Sequence, residues 1–457
     1  MKKVINLLTE NIASDHRAQS LWKRYLRSDN VLSSEKEKLK GFRMCGSRVI
    51  KQPGVVPAVF VVKTTHENDE ASTHFFGNAH CHSAWACPYC TARVMAARSV
   101  RIAAAIEALE AQNQWATMIT FTIPHTPNMY CEETFQILKS AWRHFIRGAN
   151  IGYETRTYTK KDGTVSTYRI KRSVYGAMRE ELKIRHCVRV YEFTWGKNNW
   201  HPHIHALYWA PKENFAKIAD YESELNASWF RSLKHCAKKY WKQINPDLSD
   251  DELEKKSAML FDSGNRDKHN GVTISKNPDG TTRRVRSSEY ISGWGSDKEV
   301  TRTDLKKASD GHYTPHQIIN NAMSAKNSDE EIKWLKLFTE YALATRGSRR
   351  VEISNSGLNA IIDEWIKSHP QVTQIQKKTM SPVVTAEIVC WFTSEQWWLI
   401  CNFVEPDVFD IKALILERAR LPDGKEQITK LLLDYGIDIS GNPSHHEEDL
   451  VASIYAA

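Results

Sequence analysis

Short runs of alternating apolar and polar residues, set between stretches with helical spacing, define the expected elements of the chain. Residues 1 to about 40 are polar with a helical rhythm, and Ser33-Ser34-Glu35-Lys36 has the form of a helix start. Val55 to Val62 is a β-rich run. Val94, Ala97, Val100, Ile102, Ala105, Ile106 and Leu109 recur at helical intervals and predict an amphipathic helix from Thr91 to about Gln114, decorated by Arg93, Arg98 and Arg101. Ala116 to His125 alternates, is rich in β-branched residues and closes at Pro124, which predicts a strand. A helix is expected around Phe135 to Ile146, followed over residues 153 to 175 by a hairpin built on the turn signal Asp162-Gly163.

The alternation acquires chemistry at Trp200-His201-Pro202-His203-Ile204-His205-Ala206-Leu207. Successive side chains of a strand point to opposite faces, so His201, His203 and His205 share one. A second strand, Cys187 to Trp195, precedes them across Gly196-Lys197-Asn198-Asn199. Pairing Trp195 with Trp200 sets Glu192 opposite His203, Val190 opposite His205 and Thr194 opposite His201, so the carboxylate joins the imidazoles. A one-residue slip would send Glu192 to the other face. Two or three histidines and a glutamate with open coordination positions suit Mg²⁺ or Mn²⁺ engaged with phosphate oxygens, and imidazole also binds zinc. The alternative is a half-buried strand whose histidines only satisfy hydrogen bonds.

Composition narrows the setting. A chain of 457 residues with 41% hydrophobic content predicts two or three domains, each with its own core. No apolar run is long enough to span a bilayer, and Met1-Lys2-Lys3-Val4-Ile5-Asn6 lacks the apolar stretch of a signal peptide, so a cytoplasmic location without membrane partners is expected. The net charge of +9 hides an asymmetry: residues 381 to 457 hold 13 acidic and 5 basic side chains, leaving +17 on the first 380. A body that basic suits nucleic acid.

Nine cysteines in a large chain without an export signal favour metal or plain thiol roles over disulfides. Cys87-Pro88-Tyr89-Cys90 is a knuckle for one tetrahedral ion. Cys81 and Cys45 complete a set of four for a structural Zn²⁺, with His80 and His82 competing for the place of Cys45. A redox pair would need a β-α-β setting that this region does not show.

For a polyanion partner, the hairpin offers Arg169, Lys171 and Arg172 among tyrosines, and Arg283-Arg284-Val285-Arg286 forms a second basic cluster able to contact phosphates. A metal on the histidine strand would assist phosphodiester cleavage, which needs a nucleophile. Tyr290, in Ser288-Glu289-Tyr290-Ile291-Ser292-Gly293-Trp294-Gly295, stands just past that cluster, although residue chemistry alone does not single it out among 16 tyrosines.

Tyr191 through His205 resembles the metal motif of the HUH endonuclease superfamily, within it the rolling-circle replication initiator (Rep) proteins of small bacterial plasmids. Thr120 to His125 resembles the first family motif, Cys81 to Cys90 the cysteine knuckle ahead of it, and Glu289-Tyr290-Ile291-Ser292 the tyrosine motif. Glu340 to Gly347 and Ser354 to Leu358 resemble later stretches of the family's domain. The resemblance implies an α+β fold, a five-stranded antiparallel sheet with flanking helices, an N-terminal zinc-knuckle region and a mainly helical C-terminal extension. It implies catalysis by Tyr290 and Glu192, with His203, His205 and either His201 or Glu192 around the ion. The partner would be single-stranded or supercoiled origin DNA, together with the host replication helicase and polymerase. Two positions depart from the family: Gly293 stands where a lysine is common, and Arg286 where some relatives carry a glutamate that activates water. The expected blocks are a helical region over 1–44, the cysteine region and helix over 45–115, the nuclease domain over 116–320, and a helical region over 321–457, acidic at its end. A single-strand transposase, a relaxase-like enzyme and a non-catalytic zinc-containing regulator are the alternatives.

Overall fold

The structure, a computed structural model, describes residues 2–50, 57–66, 71–148, 152–262, 271–286, 311–353, 356–369, 383–408 and 410–442. The chain forms two compact units that are not consecutive in sequence: one gathers residues 1–97, 316–343 and 369–457, the other 98–315 and 344–368. No helix among the described residues is long and apolar enough to cross a membrane.

The second unit is built on a five-stranded, fully antiparallel sheet. Its order is Val272–Ile274, Gln114–Thr122, Asn199–Pro211, His186–Gly196, Val351–Ile353. Period-two geometry sorts its side chains. Phe121, Tyr191 and Phe193 face one way: Phe121 packs on Trp142, Phe145 and Trp229 with ring centroids 5.1–5.4 Å apart, and Phe135 meets Tyr191 and Phe193 at 5.3 and 4.9 Å. These partners sit on helices Cys131–Gly148 and Glu222–Ile244, so the aromatic face is the helix-covered one. Burying such rings contributes roughly 1.5–3 kcal/mol each. Thr120, Thr122, Glu192, His203 and His205 therefore occupy the opposite face.

The glutamate and histidine strands are joined by a turn in which Asn199 is left-handed at φ 71°. Asparagine tolerates that region because its short side chain bonds locally. Here the amide bonds the Pro127 and Met129 carbonyls at 3.3 and 3.0 Å and accepts from Trp195 Nε1 at 3.2 Å. The basic hairpin is present as Gly152–Thr159 paired with Val165–Arg172, a two-stranded ribbon apart from the main sheet. Its connection is a five-residue loop, Lys160 to Thr164, and not the two-residue turn expected. Asp162 accepts from the Thr164 amide at 2.9 Å and Gly163 takes φ 82°, which closes the wider loop.

In the first unit, strand Ala58–His66 lies between Ala71–Phe76 and Val383–Thr393. The acidic C-terminal region is thus not simply helical. It begins with an edge strand and continues in helices Ser394–Leu399, Ile411–Arg418 and Gly424–Leu433, whose Trp397, Ile415 and Leu432 share a core with Val61 and Phe75. Val389 and Phe392 of that strand enter the same core. A buried ion cluster ties this region to helix Lys2–Arg27: Glu405 lies 3.7 Å from Lys23 and 3.1 Å from Lys412, and accepts from Ser20 at 2.6 Å.

Candidate metal centres

The register expected from the tryptophan pair is the one observed: Trp195 stands opposite Trp200, Glu192 opposite His203, Val190 opposite His205 and Thr194 opposite His201. Glu192 has 0% of its surface exposed, His203 7% and His205 4%. Their donor atoms all lie within 4.8 Å of one another. Glu192 Oε2 is 2.9 Å from His205 Nε2 and 3.3 Å from His203 Nε2. Burial drives the Glu192 carboxyl pKa upward, but hydrogen bonds and charge from His203 and His205 outweigh it and hold the group well below the ordinary value.

The hydrogen bonds of the outer ring atoms test whether a cation fits. His203 Nδ1 is 3.3 Å from the His201 carbonyl, which only accepts, so that nitrogen carries the proton. A neutral His203 then turns the lone pair of Nε2 toward a carboxylate oxygen. Two acceptors in contact require a positive charge between or upon them, supplied by a proton or by a metal ion. His205 Nδ1 is likewise engaged, by Thr120 Oγ1 at 3.0 Å. Nδ1 anchored by an outer partner and Nε2 directed inward is the arrangement that orients a metal-binding imidazole.

His201, third in the row, stands outside this donor group. Its Nδ1 lies 3.4 Å from His125 Nδ1, and the two rings approach to 4.9 Å between centroids. Of the four expected ligands, the structure thus brings together Glu192, His203 and His205. Burial, with the charges of His203, His125 and His312, lowers the His201 pKa well below its ordinary value.

Two contributors were not expected from sequence. Thr120 is recognised only once the strand Gln114–Thr122 is seen beside the histidine strand, with Thr120 opposite His205. His312 comes from more than a hundred residues downstream. The backbone pairing of Tyr313 with Trp195 brings it in, and it crowds Gly196 so closely that a Cβ there would lie 2.6 Å from its Nδ1.

The second candidate centre lies in the first unit, where Cys45, Cys81, Cys87 and Cys90 converge. Sulfur separations of 3.5 Å for Cys45–Cys90 and 3.7 Å for Cys81–Cys90 and Cys45–Cys87 are far too long for disulfides. They approach the edge of about 3.8 Å that a tetrahedron with Zn–S of about 2.3 Å requires. The Cys81 amide and the Gln19 side chain donate to Cys45 and Cys87 at 3.3 and 3.2 Å, contacts that would support thiolate ligands. Cys45 is therefore the fourth member of the candidate set, with His80 Nδ1 3.7 Å from its sulfur. His80 stacks on Tyr89 at 4.5 Å, and His82 is exposed.

The remaining expected residues are dispersed. Tyr290, with Glu289 and Gly293, lies outside the described residues. Arg284 pairs with Glu110 and stacks over Trp115 at 4.5 Å. Arg283 bonds Thr117 through its carbonyl at 2.9 Å, and Arg286 is exposed. In the ribbon ladder Arg169 stands opposite Thr155, Lys171 opposite Tyr153 and Arg172 opposite Gly152. In the late stretches, Tyr341 is buried and donates to the Trp85 carbonyl at 3.3 Å, Leu358 is buried, and Ser354 and Asn355 lie outside the described residues. Compared with protein-family models, curated proteins and solved structures, the chain matches none.

Proposed function

We propose that the chain is a metal-dependent, site-specific DNA nicking and joining enzyme, an HUH-type initiator of plasmid rolling-circle replication. The observation that carries this reading is the convergence of buried Glu192, His203 and His205 on adjacent antiparallel strands, each imidazole held by an outer partner. A divalent ion bound there, Mg²⁺ or Mn²⁺, would polarise a DNA phosphate and stabilise its developing negative charge. Tyr290 would supply the nucleophile. Its phenolic oxygen forms a bond to phosphorus while the bond from phosphorus to the 3′ oxygen breaks. The phenol proton passes to a base or solvent and the leaving oxygen gains one, yielding a 5′-phosphotyrosine and a free 3′-hydroxyl. The phosphodiester energy is conserved, so the same site can rejoin the strand. Phosphate contacts by the exposed ribbon loop, Lys160 and Lys161, and by Arg286 accompany this chemistry. Zn²⁺ at the cysteine cluster has a structural role. A cytoplasmic location, origin DNA and the host helicase and polymerase as partners belong to the same reading.

The test is incubation of the full chain with single-stranded origin DNA and Mn²⁺, followed by a denaturing gel. The parent protein forms a covalent adduct, Tyr290→Phe forms none, and the double substitution of His203 and His205 by alanine abolishes nicking. An adduct that persists in Tyr290→Phe removes Tyr290 as nucleophile. Nicking that survives the double substitution removes the metal argument. A second reading, a zinc-containing DNA-binding regulator without catalysis, draws on the cysteine cluster and predicts binding that survives Mg²⁺ removal with no strand scission. A transposase is separated from an initiator by its genetic neighbourhood.

A further inference from the structure

The imidazole that the metal donors leave out has a defined hydrogen-bond state. His125 Nδ1 lies 3.3 Å from the Ile123 carbonyl, an obligate acceptor, so His125 Nδ1 carries a proton. The same nitrogen faces His201 Nδ1 at 3.4 Å. Two N–H groups cannot face each other there, so His201 Nδ1 is the acceptor and its proton resides on Nε2. Among the described residues no group engages that Nε2–H. The strand's alternation puts it on the face of Glu192, His203 and His205, with the His201 and His203 ring centroids 5.4 Å apart. A hydrogen-bond donor with no acceptor among the described residues, two positions along the strand from His203, is arranged to receive an anionic oxygen brought by a ligand.

We propose that His125 and His201 form an anion-positioning pair, in which His201 donates its Nε2–H to a non-bridging oxygen of a DNA phosphodiester held at the Glu192–His203–His205 centre. The inference rests on the nuclease reading of that centre. His201 is the contact residue. His125 is a positioning residue that fixes the tautomer of its neighbour, and Thr194 stands opposite His201 on the partner strand. The rival role for His201 is that of a third metal ligand. Ligation would need a lone pair on the nitrogen that here carries the proton.

The experiment uses the full chain, a fluorescein-labelled oligothymidine whose binding is followed by anisotropy in Mn²⁺, and a separate calorimetric titration with Mn²⁺ alone. His201→Ala weakens oligothymidine binding roughly tenfold or more, the ordinary worth of a hydrogen bond to a charged oxygen, and leaves the Mn²⁺ affinity within about twofold of the parent. His201→Gln, whose amide nitrogen reaches the place of Nε2, restores most of the binding. A methylphosphonate oligothymidine, which has no anionic oxygens, binds parent and His201→Ala alike. Melting curves confirm that each variant is folded. Unchanged oligothymidine binding by His201→Ala overturns the proposal, and so does a loss of Mn²⁺ affinity as large as that of Glu192→Ala, which makes His201 a ligand. A parent protein that binds Mn²⁺ but shows no metal-dependent oligothymidine binding overturns the nuclease reading and the proposal together.

Discussion

Glu192→Gln keeps the volume of a residue with no exposed surface and removes one negative charge from between two imidazoles. Without metal the carboxylate accepts at 2.9 and 3.3 Å, and charge-assisted hydrogen bonds of that kind contribute about 1.5–3 kcal/mol each. Burying the charge costs several kcal/mol and offsets most of this, so the amide lowers apo stability by only about 1–2 kcal/mol. Cation binding has no such compensation. Loss of an outer-shell partner weakens metal affinity by roughly 10–100-fold, and loss of a charged direct ligand must exceed that. The Mn²⁺ dissociation constant of Glu192→Gln is therefore expected to rise by more than about 100-fold, equivalent to about 2.7 kcal/mol. Calorimetric titration of the full chain measures it, and melting in chelator provides the folding control. At Mn²⁺ a hundredfold above its dissociation constant the parent gains about 2.7 kcal/mol of stability from the ion, and the variant gains almost none. A change in affinity below about threefold refutes the assignment of Glu192 as a ligand and leaves the histidines alone at the centre.

Cys87→Ser removes one of four convergent sulfurs, and bound zinc, measured by a colorimetric chelator, falls well below the parent's content while the first unit melts at lower temperature. The Glu405 carboxyl, pushed up by burial but pulled down further by Lys23 and Lys412, has its pKa lowered to about 2, so its stabilising effect is complete above the ordinary value of 4.5 and is lost as pH falls toward 2. Glu405→Gln leaves two buried ammonium groups against a neutral amide, which costs about 3–5 kcal/mol at pH 7 and flattens the acid limb of the stability curve, as chemical denaturation across pH will show. Asn199→Ala forces alanine into the left-handed region and deletes the bonds to Pro127 and Met129. It is expected to cost about 2–3 kcal/mol, and Asn199→Gly, free of the backbone strain, recovers roughly 1 kcal/mol of that.

Local pattern made much of this protein legible. Alternation along Gln114–Thr122, His186–Gly196 and Asn199–Pro211 and the helical spacing of Pro88–Glu110 are properties of neighbouring residues, and they appear as expected with ends displaced by a few positions. The placement of Glu192 beside the histidines was also readable, because a hairpin couples two strands through a short connection and one tryptophan pair then sets every other register. The loop of the basic ribbon was misread because Asp162-Gly163 serves a two-residue turn and a five-residue loop equally well. The strand Val383–Thr393 is not legible in the sequence because its pairing partner, Ala58–His66, lies more than three hundred residues away, and no local period announces such a contact.

The sequence by itself determined which side chains share a strand face, and hence that three histidines and a glutamate project together. Only the tertiary structure decided which of them converge. His203 and His205 meet Glu192, while His201 is drawn toward His125, a residue brought alongside by the strand Gln114–Thr122. It also decided the fourth cysteine, since Cys45 reaches the knuckle through space from outside the Cys81–Cys90 spacing. The division has one physical cause. Backbone geometry repeats over two to four residues and is written in the chain order, whereas a ligand shell is closed by side chains whose separation along the chain bears no relation to their separation in space.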